Sequence, residues 1–197
     1  MVQKRISVTG YQSFGPYDLN PAEVVVNNLK KYQFSSDLDV EFAAIPVSYE
    51  AADFCSRDLC GKGKSDFVVH VGVHPKKETI CLEKQARASG YCSMDVDGEI
   101  PLNNRPLVCC CTTPEVVRSN LDTEEVIGSL KNVPEGLTVK TSHDPGRYLC
   151  SYIFYSSLVN NHGNALFIHI PDFSETATVE VVSDIVAQVI EFIGKTL

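Results

Sequence analysis

The sequence lacks both a long apolar segment and an excess of positive charge. No apolar run approaches the ~20 residues that span a bilayer, and no apolar stretch follows a basic start. We therefore expect neither a membrane helix nor a signal peptide. The formal net charge of -8 argues against nucleic acid or an anionic membrane as a partner, since both bind basic faces.

Metal and phosphate motifs are also missing. None of the eight cysteines forms a Cys-x-x-Cys pair, and three of them simply adjoin at 109–111. We predict no metal and no cofactor, and reduced thiols in the cytoplasm rather than disulfides. The loop between Gly10 and Gly15 lacks the G-x-G-x-x-G pattern that binds dinucleotides.

The order of predicted elements indicates the fold class. A length of 197 residues, of which 44% are apolar, suits one α/β domain over residues 1–197. Strands and helices alternate, which predicts a three-layer α/β/α sandwich with a mostly parallel, mixed sheet. Strands are predicted at 5–9, 40–45, 67–71, 79–84, 137–141 and 166–170, and helices at 20–32, 48–60, 122–131, 151–161 and 182–193. Residues 87–114 form an irregular excursion, a candidate lid or substrate wall.

A cysteine and a histidine stand where nucleophilic chemistry is favoured. Cys150 follows the turn formers of 144–146 and opens a helix, where unpaired amides and the helix dipole favour a thiolate. His169 ends an apolar strand before Pro171 and is a candidate base. Taken alone, either residue could instead belong to the core.

The remaining histidines are weaker candidates. His70, the competing base, lies mid-strand among apolar neighbours and is predicted to be structural. His74, His143 and His162 lie in loop-like surroundings, with nothing in the sequence that links them to the nucleophile.

Residues 142–150 (Ser-His-Asp-Pro-Gly-Arg-Tyr-Leu-Cys) and 167–171 (Phe-Ile-His-Ile-Pro) together resemble pyroglutamyl-peptidase I. Enzymes of that family are cytosolic cysteine peptidases that remove N-terminal pyroglutamate. The resemblance implies Cys150 as nucleophile, His169 as base and Glu83 as the acid of a Cys-His-Glu triad. Without it, Glu83 would be interpreted as a surface residue paired with Lys84.

The segment 8–15, followed by Asn20-Pro21, resembles the family's substrate loop, with Tyr11 and Phe14 at its two aromatic positions. A neutral lactam needs flat apolar walls and a few backbone partners. We predict Tyr11 and Phe14 as walls and the backbone of Gly72 and Val73 as partners. Further predicted substrate contacts are Met94 and Leu149. The alternative is that the two aromatics only close the loop over the core.

Four departures from the family pattern bear on substrate fit rather than chemistry. Ser13 replaces a proline, Tyr11 adds a hydroxyl, Ala88 replaces an asparagine, and the segment 75–78 is more charged than usual.

The predicted function is a cytoplasmic, metal-independent cysteine omega-peptidase acting on peptides with N-terminal pyroglutamate. One alternative is a non-catalytic binder of blocked peptide N-termini on the same fold. A nucleoside phosphorylase-like enzyme is another, although it would need phosphate-binding groups that the sequence does not present. The sequence does not indicate an oligomeric state.

Overall fold

Strands and helices alternate along the chain in the computed structural model, which describes residues 3–13, 19–61, 64–74, 76–108 and 113–197. The strands are β1 (Lys4–Tyr11), β2 (Leu38–Ile45), β3 (Phe67–Val73), β4 (Thr79–Glu83), β5 (Gln85–Arg87), β6 (Val116–Arg118), β7 (Thr138–Ser142) and β8 (Ala165–Ile170). The helices are α1 (Pro21–Leu29), α2 (Tyr49–Leu59), α3 (Thr123–Ser129), α4 (Leu149–Asn160) and α5 (Val179–Thr196).

Six of these strands form the central sheet, in the order β2-β1-β3-β8-β4-β7. Neighbouring strands are parallel except β8 and β4, which pair antiparallel. Helices α1, α3 and α5 pack on one face of the sheet, and α2 and α4 pack on the other. The predicted three-layer α/β/α sandwich with a mostly parallel, mixed sheet is confirmed.

The spacing of apolar residues agrees with the buried sides of α5 and α2. In α5 the apolar residues at helical spacing are buried along its whole length, from Val182 to Ile193. In α2, Cys55 faces inward while Phe54 is 69% exposed.

Helix α4 differs from the amphipathic helix that its sequence predicts. Leu149 and every residue from Ser151 to Leu158 are buried. The helix lies against the sheet, runs beside α2, and contacts the separate β5–β6 ribbon. Its serines are therefore core residues, and the element that begins at the predicted nucleophile is held on several sides.

Helix ends follow their capping residues. The Asn20 side chain accepts a hydrogen bond from the Ala22 amide at the start of α1. That helix ends at Leu29 rather than near Tyr32, because the Tyr32 amide bonds three residues back, to the Leu29 carbonyl.

The excursion at 87–114 is anchored at its base and along its described part. Strands β5 and β6 pair antiparallel on either side of it. Within it, the buried Tyr91 bonds through its hydroxyl to the Arg87 carbonyl and the Ser151 hydroxyl. The described part of the excursion is thereby tied to α4. Among the described residues, no helix is both long and apolar enough to cross a membrane.

Candidate active site

Strands β3, β8 and β4 and the start of α4 bring the predicted catalytic residues together. In the parallel β3–β8 pair, His169 is level with Gly72, and in the antiparallel β8–β4 pair it is level with Cys81. Glu83 lies two residues beyond Cys81, so it projects from the same face of the sheet as His169. Distant segments of the chain thus place a carboxylate and an imidazole side by side.

His169 and Glu83 form a buried pair. The His169 Nδ1 lies 2.8 Å from Glu83 Oε1, and the two side chains are 4% and 1% exposed. Burial alone would lower the pKa of His169, but hydrogen bonds to Cys150 and Glu83, together with their charges, raise it to about 9. The imidazolium form is therefore favoured near neutral pH.

The alternative interpretation of Glu83 as a surface residue is wrong. The residue is fully buried, and the ammonium of Lys84 donates to the Leu121 carbonyl instead.

Cys150 is the second residue of α4 and follows the predicted turn. Gly146 has a φ of 82°, and its amide donates to the Asp144 carboxylate. Tyr148, at the N-cap, provides no side-chain cap. The first amides of α4 therefore remain available beside the thiol. The sulfur also approaches β3, since a Cβ built on Gly72 would lie 3.1 Å from Cys150 Sγ.

Two aromatic rings lie beside the imidazole of His169. The Phe167 ring centroid is 4.7 Å away, and the His74 centroid is 5.3 Å away in an edge-to-face arrangement. Nothing in the sequence links His74 to the nucleophile; the structure places it beside His169. A strand signal was available, because alternate residues of an extended segment share a face and His74 follows Gly72 by two positions.

His70 is engaged elsewhere, as predicted. Its Nδ1 lies 2.7 Å from the Thr9 hydroxyl, and its Nε2 lies 2.8 Å from the Ser157 hydroxyl. Burial lowers the pKa of His70 to about 3. The residue is a neutral part of the core.

The predicted substrate residues fall into three groups. Tyr11 is only 5% exposed, and its hydroxyl donates to the Leu149 carbonyl at 2.8 Å, so both residues lie together at the start of α4. Burial, and then the proximity of Cys150, raise the pKa of Tyr11 well above 10.0.

Gly72 and Val73 of β3, together with Met94 of the excursion, form the second group. Gly72 is buried beside the thiol, whereas the side chain of Val73 packs against the opposite core. In the excursion, Met94 exposes 65% of its surface, and its carbonyl accepts a hydrogen bond from the Tyr148 hydroxyl at 3.2 Å. The third group is Phe14 alone, which lies outside the described residues.

Burial makes two of the other described cysteines poor candidates for the nucleophile. The described cysteines are all free thiols: Cys55, Cys60, Cys81, Cys92 and Cys150. Burial raises the pKa of Cys55 to about 12 and that of Cys60 to about 11, which disfavours their nucleophilic thiolates. Within the described ranges, no three His, Cys, Asp or Glu residues are grouped so as to hold a metal ion.

Comparison with known proteins identifies the family. The model of the family described as "Putative pyroglutamyl peptidase PgaPase_1" matches residues 1–174. The chain belongs to the pyroglutamyl peptidase family. The resemblance read from the motifs is thereby confirmed.

Relatives in this family cover most of the chain. Pyroglutamyl-peptidase 1 of Homo sapiens is 32% identical over 170 residues, which is 86% of this chain and 79% of the human protein. Pyrrolidone-carboxylate peptidase of Pyrococcus furiosus is 26% identical over 202 residues, 97% of this chain and 86% of its own. A mutant pyrrolidone carboxyl peptidase from Pyrococcus furiosus shares the fold, with a TM-score of 0.83 and 24% identity over 98% of this chain and 99% of its own. Membership of a peptidase family gives no support to the nucleoside phosphorylase-like alternative.

Proposed function

We propose that this pyroglutamyl peptidase family member hydrolyses the peptide bond after an N-terminal pyroglutamyl residue, with Cys150 as nucleophile. The observation that carries the proposal is the buried His169–Glu83 pair, bonded at 2.8 Å, beside a cysteine at a helix start. A nucleophile, a base and a group that orients the base are the parts that acyl transfer needs.

The reaction proceeds through an acyl-enzyme. With the thiol proton held by His169, Cys150 Sγ attacks the carbonyl carbon of the pyroglutamyl residue as the thiolate. The amides at the start of α4 donate to the oxyanion. The tetrahedral intermediate collapses as His169 protonates the leaving amine, and the shortened peptide departs. His169 then deprotonates a water molecule, whose oxygen attacks the thioester and releases pyroglutamate and the thiol.

Glu83 fixes the role of each nitrogen of the imidazole. Because its Oε1 occupies His169 Nδ1, the other nitrogen is left to exchange protons with Cys150. The carboxylate also stabilises the imidazolium, in agreement with the raised pKa of His169.

The proposal includes a neutral lactam as the group that the site binds. The absence of a side chain at Gly72 lets Phe167 and Cys150 Sγ approach β3 closely. The bond from Tyr11 to Leu149 ties the predicted aromatic wall to the nucleophile helix. The other predicted contacts are Phe14, the backbone of Gly72 and Val73, and Met94. A free N-terminal glutamate would bring charges without partners into the site. Because a thiol nucleophile works only while reduced, the proposal includes a reducing compartment such as the cytoplasm.

Covalent trapping tests this proposal. Pyroglutamyl chloromethyl ketone should add once to the protein, at Cys150, and abolish peptidase activity, while the prolyl analogue should react far more slowly. Cys150→Ala should take up no label. Labelling of the exposed Cys92 in place of Cys150 would contradict the proposal.

A further inference from the structure

His74 lies directly beyond β3, beside the His169–Glu83 pair, and the reaction steps above do not use it. Its backbone amide donates to the Ile170 carbonyl at 2.8 Å and so extends the pairing of β3 with β8. Its ring packs on the His169 ring at 5.3 Å with an interplanar angle of 68°. His74 therefore adjoins the imidazole from a position that the strand itself fixes.

The ring of His74 is also held in one orientation. Its Nδ1 lies 3.0 Å from the Lys76 amide and accepts that hydrogen bond. An imidazole nitrogen that accepts carries no proton, so the neutral ring has its proton on Nε2. His74 is thereby a hydrogen-bond donor with a defined tautomer, and its ring adjoins that of His169.

Glu83 needs such a donor. The residue is 0% exposed, and its second oxygen, Oε2, is buried without a hydrogen-bond partner in the part of the chain that the structure describes. A buried, unsatisfied carboxylate oxygen is costly. His74 is close enough to Glu83 for the two charges to interact.

We propose that His74 is a positioning residue for the His169–Glu83 pair: its ring closes one side of the imidazole, and its Nε2–H serves Glu83 Oε2 through one water molecule. A bridging water would be nearly as effective as a direct bond. This inference rests on the proposed function, because the orientation of the pair matters only if His169 acts on Cys150.

The same geometry makes the arrangement sensitive to acid. A proton on Nδ1 of His74 would turn the acceptor of the Lys76 amide into a second donor, so the hydrogen bond would be lost and the ring released. Four groups interact with His74 electrostatically: His169, Glu83, Lys76 and Lys140. Burial, followed by the charge of His169, lowers the pKa of His74 from 6.5, with Glu83 opposing. We therefore expect the His74 ring to be released in mild acid, below pH 6.5.

The test is the rate at which iodoacetamide alkylates Cys150 between pH 5 and pH 8, resolved by peptide mass spectrometry. His74→Phe keeps a ring without a titrating nitrogen, and His74→Asn keeps an acceptor for the Lys76 amide without the ring. At pH 8 the parent should react about three- to tenfold faster than either variant, as expected for the loss of one hydrogen bond. The ratio of the parent rate to the variant rate should fall toward one as the pH drops below 6.5. The control His162→Asn, at an exposed position of left-handed backbone, should give a ratio of one throughout.

Each outcome decides the inference. A ratio above one that does not vary with pH would mean that His74 only packs, and a ratio of one at every pH would mean that it does nothing. Either result overturns the inference while leaving the proposed function intact. If Cys150 in the parent reacts no faster than the exposed Cys92, the proposed function fails, and the inference fails with it.

Discussion

Gly72→Ala perturbs the site through a single methyl group. The added Cβ would lie 2.6 Å from Phe167 Cζ and 3.1 Å from Cys150 Sγ. Phe167 has little freedom to move, because it is 0% exposed and packs against Phe154 and His169. The strain must therefore displace either the ring beside His169 or the thiol itself.

Both consequences can be estimated. Overpacking of a filled core costs about 1–3 kcal/mol of unfolding free energy. Misplacement of a reacting group by about 1 Å can reduce the rate about 100-fold. We therefore expect Gly72→Ala to lower kcat on a pyroglutamyl amide by about 10- to 100-fold, alongside the loss of stability. Denaturant unfolding and steady-state kinetics measure the two effects.

Gly194→Ala is a control for crowding away from the site. Its Cβ would lie 2.5 Å from Leu38 Cδ2, in the layer that contains α5. It should cost less stability than Gly72→Ala, because only the end of the flexible Leu38 side chain must move and alanine favours a helix over glycine, and it should keep the parent kcat. A Gly72→Ala variant with the kcat of the parent would refute the close approach of strand and thiol.

Three further predictions concern the His169–Glu83 pair and Tyr11. Glu83→Gln should reduce kcat by about 10²- to 10⁴-fold, the range of general acid–base catalysis, and an unchanged kcat in steady-state assays would remove Glu83 from the mechanism. Because the pKa of His169 is raised from 6.5 to about 9, its stabilising contribution is complete below pH 6.5 and is lost as the pH rises to about 9. Denaturant titrations should thus show a steeper fall over that window for the parent than for His169→Gln, and equal slopes would argue against the charged pair. Tyr11→Phe loses the bond to Leu149 and should lower the unfolding free energy by about 1 kcal/mol, whereas Tyr11→Ala should also raise KM several-fold; if KM in the alanine variant equals that of the parent, Tyr11 is not a pocket wall.

Local signals in the sequence were enough to predict most of the fold. The apolar stripe of α5, the cap at Asn20 and the turn at 144–146 each depend on neighbouring residues, and the structure contains all three. Helix α4 was harder, because burial on several sides depends on the β5–β6 ribbon, which distant residues supply. A serine such as Ser157 is polar in isolation and becomes a core residue only through partners such as His70.

The residues of the candidate site also differ in how far the local sequence predicts them. Cys150 and His169 stand at element ends that periodicity locates, so both could be named as candidates from the chain itself, and the family resemblance then favoured that role over a place in the core. Glu83 required the family resemblance, since its burial follows from the antiparallel pairing of β4 with β8. His74 was missed because alternation along the chain only indicates that it shares a face with Gly72, whereas its contact with His169 depends on the pairing of β3 with β8, which nothing local in the sequence predicts.

Hydrolysis of matched fluorogenic amides tests the central claim most directly. Pyroglutamyl, prolyl and glutamyl amides of one fluorophore are offered to the parent and to Cys150→Ala under reducing conditions. We predict rapid release from the pyroglutamyl amide alone, and none above background from Cys150→Ala. Equal release by Cys150→Ala, or a preference for the prolyl or glutamyl amide, would contradict the claim.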